Sequence, residues 1–145
     1  MIVLDVNVLV YAFDVRSVDH DRYRGWLETA LVAEEPVGVS DLVLSAFIRI
    51  VTHPGILARP ASIESALAFV NEVRTAPSTA VVTPGDRHWP IFERLCRSAN
   101  AKGNLVADAF HAALAIESGA EFITTDRDFS RFPGLRWRHP LDATS

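Results

Sequence analysis

Short apolar runs alternate along the chain with apolar positions at helical spacing, which predicts strands alternating with helices. Residues 2–6 are apolar except for Asp5, as in a strand buried on both faces of a parallel sheet. Further strands are predicted at residues 37–39, 80–82 and 121–125, with a short edge strand at 135–137. Helices are predicted at about residues 7–13, 20–31, 41–52 and 105–117, after Ser62 along Ile63, Ala66, Leu67, Val70 and Val73, and around Ile91, Phe92 and Leu95.

The order of these elements predicts the fold class. Parallel strands joined through helices need right-handed crossovers, so we expect a three-layer α/β/α sandwich around a central, mainly parallel sheet of four to five strands. The 145 residues are 49% hydrophobic and 22% charged, as expected for one globular domain spanning residues 1–145. Ligands of such sheets bind at the carboxyl ends of the strands, so functional residues are expected at that edge.

Composition and charge predict the cellular compartment of the protein and the kind of partner it could bind. The apolar N-terminus lacks a basic leader and is interrupted by Asp5 and Asn7, so neither a signal peptide nor a membrane span is expected. Cys96 is the only cysteine, which favours a reducing, cytoplasmic compartment. The net charge of −4 offers no general attraction to nucleic acid, so such a partner would be held by a local patch or through metal ions.

Three aspartates are expected at the carboxyl edge of the sheet. Asp5 lies near the end of the first strand, and Asp126 directly follows the fourth. Asp108 lies in the first turn of a helix that must begin at this edge, because that helix runs back to the start of the next parallel strand. Converging carboxylates repel one another, and hard cations that take oxygen ligands, Mg²⁺ or Mn²⁺, relieve that repulsion most simply.

Each acid also has an ordinary structural explanation. Asp108 could interact only with the helix dipole, and Asp126 could only cap the turn through Phe129. An ionised Asp5 inside an apolar run is harder to explain without a partner. His111, three residues after Asp108, could touch that acid as a ligand, although a core histidine with its hydrogen bonds satisfied is the more common case.

This chain lacks the residues that other classes of enzyme need at this edge of the sheet. A phosphatase with an aspartyl nucleophile needs a second acid two residues after Asp5, where Asn7 stands. A phosphoacceptor receiver domain needs a lysine after a late strand, and the only lysine is Lys102. Cys96 has no partner at zinc-binding spacing. The chain contains neither a glycine-rich phosphate loop nor the G-x-S-x-G motif of serine hydrolases.

Several segments together resemble the PIN-domain ribonucleases, specifically the VapC-type toxins of toxin–antitoxin pairs. They are residues 2–7, 45–49 with 52–54, 103–109, and 124–129 leading into 133–135, so the resemblance covers nearly the whole chain. It implies that Asp5, Asp108 and Asp126 are the catalytic, metal-binding acids of a Mg²⁺-dependent endoribonuclease, with Mn²⁺ as an alternative, in which a metal-activated water cleaves RNA. It also implies a cognate antitoxin protein and a homodimer.

One position departs from the family pattern. PIN domains commonly place a glutamate three residues before the arginine that matches Arg49, and here that residue is Ala46. Asp41 or Asp128 could compensate. Arg49 and Arg127 could contact phosphate or form structural ion pairs. The missing glutamate suggests a degenerate PIN fold that binds RNA or a protein without cleaving, and a metal-dependent phosphomonoesterase acting on small molecules is a further alternative.

Overall fold

The computed structural model describes residues 1–142. Its strands are β1 (Ile2–Leu4), β2 (Val37–Val39), β3 (Thr79–Val81), β4 (Glu121–Ile123) and β5 (Trp137–Arg138). Its α-helices are α1 (Val6–Phe13), α2 (His20–Ala30), α3 (Asp41–Thr52), α4 (Ile63–Arg74), α5 (His88–Ser98) and α6 (Asn104–Glu117), and a short 3-10 helix spans Arg127–Arg131. The predicted alternation is confirmed, with ends that shift by one or two residues.

All the strands are parallel, and their order across the sheet is β3-β2-β1-β4-β5. The expected α/β/α sandwich is therefore confirmed, with a five-stranded sheet. The chain leaves β1 toward β2 on one side, whereas β4 flanks β1 on the other, so the direction of winding reverses between β1 and β4. Such a reversal leaves a crevice at the carboxyl ends of the two strands, where open α/β sheets bind ligands.

The sheet separates two apolar cores. Successive side chains of a strand point to opposite faces, and in β1 Ile2 and Leu4 lie in one core while Val3 lies in the other. The first core holds the buried faces of α1 to α4, and the second holds those of α5 and α6 together with Phe129 and Phe132. Helices therefore cover both faces of the sheet, which explains why its central strands are apolar throughout.

The apolar stripe predicted for α4 is only partly buried. Ala66, Val70 and Val73 lie in the core, whereas Ile63 is 52% exposed and Leu67 is 37% exposed. Successive helical residues are rotated by about 100°, so Leu67 lies to one side of the buried line, and Ile63 is the first residue of the helix. None of the helices in residues 1–142 combines the length and apolarity needed to cross a membrane.

Close packing around β2 requires a glycine at position 38. A Cβ there would lie 2.6 Å from Val82 Cγ2 and 2.9 Å from Val3 Cγ2. Because β-branched side chains are stiff, Gly38→Ala is expected to lower the free energy of unfolding by about 1–3 kcal/mol. Gly25→Ala in α2 is the matched control, because the new Cβ meets nothing within 4 Å. This substitution is expected to raise the free energy of unfolding by about 0.5–1 kcal/mol. Urea unfolding measures both, and equal effects would contradict this packing.

Candidate active site

Asp5 lies at the end of β1, and both of its carboxylate oxygens are held. It is 5% exposed, and its backbone N–H donates to Ile123 O of β4 at 2.9 Å. It caps α1, whose first amide, Val6 N–H, donates to Oδ1 at 2.7 Å. Oδ2 accepts hydrogen bonds from Thr124 Oγ1 at 2.6 Å and from Asn7 Nδ2 at 3.2 Å. These bonds orient a carboxylate whose burial would otherwise be unfavourable.

Thr124, which is fully buried, joins the ends of β1 and β4. Its hydroxyl donates to Asp5 and accepts a hydrogen bond from the Asp126 backbone N–H at 3.0 Å. Asn7 spans the same gap, since its Oδ1 accepts from the Thr125 N–H at 3.3 Å. Residues 124–129, which resemble the family, include Thr124, but no role for its hydroxyl is predicted from the sequence. A threonine directly after an apolar strand and two residues before an acid is the signal that could have found it.

Asp126 caps the 3-10 helix that follows β4. Its Oδ1 accepts a hydrogen bond from the Asp128 N–H at 2.9 Å, so a capped turn, the structural explanation considered for this acid, is confirmed. The turn leads to Phe129, which is buried in the second core. Oδ2 of Asp126 accepts no hydrogen bond from any part of the chain that the structure describes. The cap and a ligand role are therefore compatible, because they use different oxygens.

Asp108 is the fifth residue of α6 and lies just beyond its first turn, rather than within it as predicted. The helix begins at Asn104, one residue earlier than expected, so interaction with the helix dipole is a weaker explanation for this acid. The side chain is half-buried, and its carboxylate accepts no hydrogen bond within residues 1–142. Unlike Asp5, it is held by no partner of its own.

The three acids influence one another's ionisation. Burial raises the pKa of Asp108 to about 6, and the negative charges of Asp5 and Asp126 add to the rise. Burial also raises the pKa of Asp5, against its hydrogen bonds from neighbouring groups, and the charge of Asp126 contributes in the same direction. A positive charge placed among these carboxylates would favour the ionised form of each.

The acids share one edge of the sheet but do not form a closed coordination sphere. Within residues 1–142, no group of three or more His, Cys, Asp or Glu side chains lies close enough together to hold a metal ion. The donor chemistry fits a hard cation, because the three groups are carboxylates and their mutual repulsion contributes to the raised pKa of Asp108. Metal binding by Asp5, Asp108 and Asp126 stays a prediction.

Two acids were predicted to compensate for the glutamate that is missing at Ala46, and their surroundings differ. Arg74 binds both oxygens of Asp41, with Nε 3.0 Å from Oδ1 and Nη2 3.3 Å from Oδ2, and the hydrogen bond lowers the pKa of Asp41. Asp128 lies near enough that its charge adds to the rise in the pKa of Asp108. Both acids therefore face an arginine, since Arg131 Nη2 lies 3.8 Å from Asp128 Oδ2, but of the two only Asp128 contributes its charge to the pKa of Asp108.

The arginines near the site also differ from one another. Arg127, predicted to contact phosphate or to form an ion pair, forms the ion pair, since its Nη2 and Nη1 lie 3.0 and 3.3 Å from the carboxylate oxygens of Asp142. Arg49 makes no hydrogen bond or ion pair through its side chain within the described residues. Arg131, which the sequence did not single out, carries the positive charge that opposes the rise in the pKa of Asp108.

His111 is half-buried, and it is not the satisfied core histidine expected from the sequence, because one of its ring nitrogens has no hydrogen-bond partner within residues 1–142. Burial lowers the pKa of its ring, and the charge of His88 acts in the same direction. Its Nδ1 is buried without a hydrogen-bond partner in the described part of the chain, and its ring meets that of Phe110 edge to face. Cys96 is a half-buried free cysteine at the second core.

Comparison with known proteins identifies the family. Residues 2–135 match the model of the PIN domain. The chain belongs to the PIN-domain family. Over 142 residues it is 44% identical to Ribonuclease VapC43 of Mycobacterium tuberculosis, an alignment that covers 98% of this chain and 97% of that protein. Over 140 residues it is 39% identical to Ribonuclease VapC37 of the same organism, which covers 97% of each chain.

The PIN fold of this chain also resembles a solved structure. The crystal structure of VapBC2 from Rickettsia felis bound to a DNA fragment from its promoter gives a TM-score of 0.71, covering 96% of this chain and 98% of that chain. The sequence identity is 20%, so this likeness establishes the fold alone. The family model and the relatives confirm the resemblance to VapC-type PIN domains that the sequence motifs predicted.

The raised pKa of Asp108 predicts how stability depends on pH in the metal-free PIN domain. Because the folded-state pKa of about 6 exceeds the ordinary value of 3.8, the folded protein holds a proton that the unfolded chain has lost between these values. The contribution of Asp108 to the free energy of unfolding is therefore fully present below about pH 4 and is lost as the pH rises through 6.

We expect Asp108→Asn to match the wild type near pH 4 and to exceed its free energy of unfolding at pH 7 by roughly 1 kcal/mol, since solvent screens a half-exposed charge. Urea unfolding at pH 4, 5, 6 and 7 measures the difference. A difference that stays constant across this range would contradict the raised pKa of Asp108.

Proposed function

We propose that this PIN-domain protein is an endoribonuclease and the toxin of a toxin–antitoxin pair. The observation that carries the proposal is the electrostatic coupling of Asp5, Asp108 and Asp126 in a chain 44% identical to a named ribonuclease. Three coupled acids can act on an anionic phosphodiester only when a cation accompanies them. The proposal therefore includes dependence on Mg²⁺, with Mn²⁺ as a substitute.

Each acid has a defined part in the proposed reaction. When bound, a divalent cation held by Asp5, Asp108 and Asp126 would neutralise the acids and activate the water that attacks the phosphodiester. Thr124 keeps Asp5 oriented through the 2.6 Å hydrogen bond. Asp126 uses Oδ1 for its helix cap and keeps Oδ2 available. Arg131 adds positive charge beside Asp108, where it favours an anionic substrate.

The proposed partners follow from the relatives. RNA is the proposed substrate because VapC43 and VapC37 are named ribonucleases. A cognate antitoxin is proposed because the similar structure from Rickettsia felis is a VapBC complex. A homodimer, inferred from the family resemblance, and a cytoplasmic location, inferred from the single Cys96, remain predictions.

Two observations favour a PIN fold that binds RNA or a protein without cleaving. Ala46 stands where the family commonly has glutamate, and the acids in residues 1–142 form no closed ligand set. Incubating metal-supplemented protein with total RNA, and separately with a small phosphomonoester, distinguishes the candidates. Cleavage of RNA alone supports the nuclease, phosphate release alone supports the phosphomonoesterase, and RNA binding without cleavage supports the non-catalytic fold.

Asp5→Asn and Asp108→Asn are each expected to abolish RNA cleavage, because each removes an anionic ligand. Loss of a residue that only supports a ligand typically lowers activity about 10- to 100-fold, so loss of a direct ligand should exceed about 100-fold. Rates of cleavage of a labelled RNA at fixed Mg²⁺ measure the effect. Asp86→Asn, at an exposed acid before α5, is the control and should cleave normally. Near wild-type rates for either site variant would reject the site.

The Mg²⁺ requirement tests which acid compensates for Ala46. Asp128→Asn is expected to raise the Mg²⁺ concentration for half-maximal cleavage several-fold. Asp41→Asn should change it little, because Arg74 already binds that carboxylate. Ala46→Glu adds a carboxylate at the family position and should lower the requirement. Initial rates measured against Mg²⁺ concentration decide between the two acids, and a loss in Asp41→Asn as large as in Asp5→Asn would assign the role to Asp41.

A further inference from the structure

A cleft beside the acids has no part in the reaction proposed above. It is lined by Tyr11 of α1, Ser17 and Val18 of the following loop, Tyr23 of α2, Thr125 and His139. Asp19 also lines it, with Arg22 3.8 Å from its carboxylate. The volume of about 420 Å³ lies within the range of roughly 300–1,000 Å³ that is typical of small-ligand sites.

The lining of the cleft is continuous with the acid site. Thr125 directly follows Thr124, and its N–H donates to Asn7 Oδ1 at 3.3 Å. The amide of Asn7 donates in turn to Asp5. Tyr11 follows Asn7 by four residues on α1, so the two side chains lie on one face of the helix, about 6 Å apart along its axis. A phosphodiester at the acids would therefore bring a neighbouring nucleotide to the cleft.

Aromatic rings form the walls of the cleft. The centroids of Tyr11 and Tyr23 are 5.2 Å apart with the rings tilted by 46°, and the centroids of Tyr23 and His139 are 6.2 Å apart. Tyr23 is buried, and Tyr11 and His139 are half-buried, so packing restricts all three rings. Aromatic faces stack on nucleobases of any identity, which supplies binding without sequence preference.

Polar groups in the cleft can discriminate between bases. His139 Nδ1 accepts a hydrogen bond from the Leu141 N–H at 3.1 Å, so in the neutral ring Nε2 carries the proton and is a donor. The hydroxyls of Tyr11, Ser17 and Thr125 make no hydrogen bond to any residue that the structure describes. A ring N–H and several hydroxyls are the groups that read the edge of an unpaired base in single-stranded RNA.

We propose that this cleft binds the nucleobase next to the cleaved phosphodiester, and that Tyr11, Thr125 and His139 set the base preference of cleavage. Neither lysine nor arginine lines the cleft, so a neutral base suits it better than a phosphate group. The inference rests on the proposed endoribonuclease function and extends it from the reaction to the choice of RNA sequence.

The test is cleavage of an RNA with a randomised segment, followed by sequencing of the cleaved ends. His139→Phe keeps an aromatic face but removes the ring N–H, and Thr125→Val keeps the shape but removes the hydroxyl. The wild type is expected to prefer one base beside the cut. Each variant should weaken that preference about tenfold, as for the loss of one base contact, through KM on the preferred RNA rather than kcat.

His53→Phe is the matched control. Its Nδ1 also accepts a backbone N–H from two residues downstream, that of Gly55 at 2.8 Å, but His53 lies at the end of α3, outside the cleft. It should leave the preference unchanged. If His139→Phe and Thr125→Val also leave the preference unchanged, the proposal is overturned. The same holds if they weaken only the binding of an antitoxin, because the cleft would then receive a protein side chain.

A binding measurement separates this inference from the proposed function. The four nucleoside 5′-monophosphates are added to metal-free wild-type protein, and the NMR signals of His139 and Thr125 are followed. Shifts that depend on the base support the cleft even if the protein cleaves no RNA, in which case only the endoribonuclease proposal fails. If none of the four monophosphates shifts these signals, the cleft proposal is overturned whether or not RNA is cleaved.

Discussion

The hydrogen bond from Thr124 to Asp5 is the interaction on which the acid edge depends. It joins the ends of two neighbouring strands through residues 119 positions apart in the chain. A carboxylate that is 5% exposed needs such a partner, because a buried charge without hydrogen bonds is strongly disfavoured. This bond is also the largest effect that lowers the pKa of Asp5 against burial. Thr124 therefore favours the ionised form of a residue whose pKa burial raises, and the ionised form is the better cation ligand.

The same arrangement bears on how an acidic edge would receive the proposed RNA substrate, which is a polyanion. Asp5 and Asp126 raise the pKa of Asp108 through their charges, so the three carboxylates repel one another when no metal is bound. An RNA phosphate would add a further negative charge to that repulsion. The single cation of Arg131 opposes only part of it. A divalent ion among the acids would offset two of their three negative charges, and the phosphate would then meet a cation although the chain carries a net charge of −4. Attraction of RNA would thus be local to the site rather than a property of the whole surface.

The parallel α/β/α fold and the position of Asp5 and Asp126 at one edge of the sheet could be predicted from the sequence, because both depend on local patterns. The apolar runs predict β1 and β4, and Asp5 and Asp126 follow them directly, so parallel pairing alone brings both to one edge. Contacts between distant helices could not be predicted. Asp41 was a candidate ligand by its place at the start of α3, but Arg74, 33 residues later, binds it. Arg131 was missed because its position depends on a 3-10 helix that periodicity does not indicate.

The proposed catalytic acids and the proposed base-binding cleft lie on different kinds of segment in this fold. Asp5 and Asp126 follow buried strands, where packing and hydrogen bonds restrict change. Most of the proposed base-binding cleft comes from the loop between α1 and α2 and from His139 near the C-terminal end of the described chain, and loops tolerate substitution. Substitutions there could redirect the enzyme to other sequences without disturbing the acids. Tyr11 and Thr125 are exceptions, because Tyr11 shares α1 with Asn7 and the Thr125 N–H donates to Asn7. Since Asn7 donates to Asp5, a backbone shift at either residue would move the cleft and the support of Asp5 together.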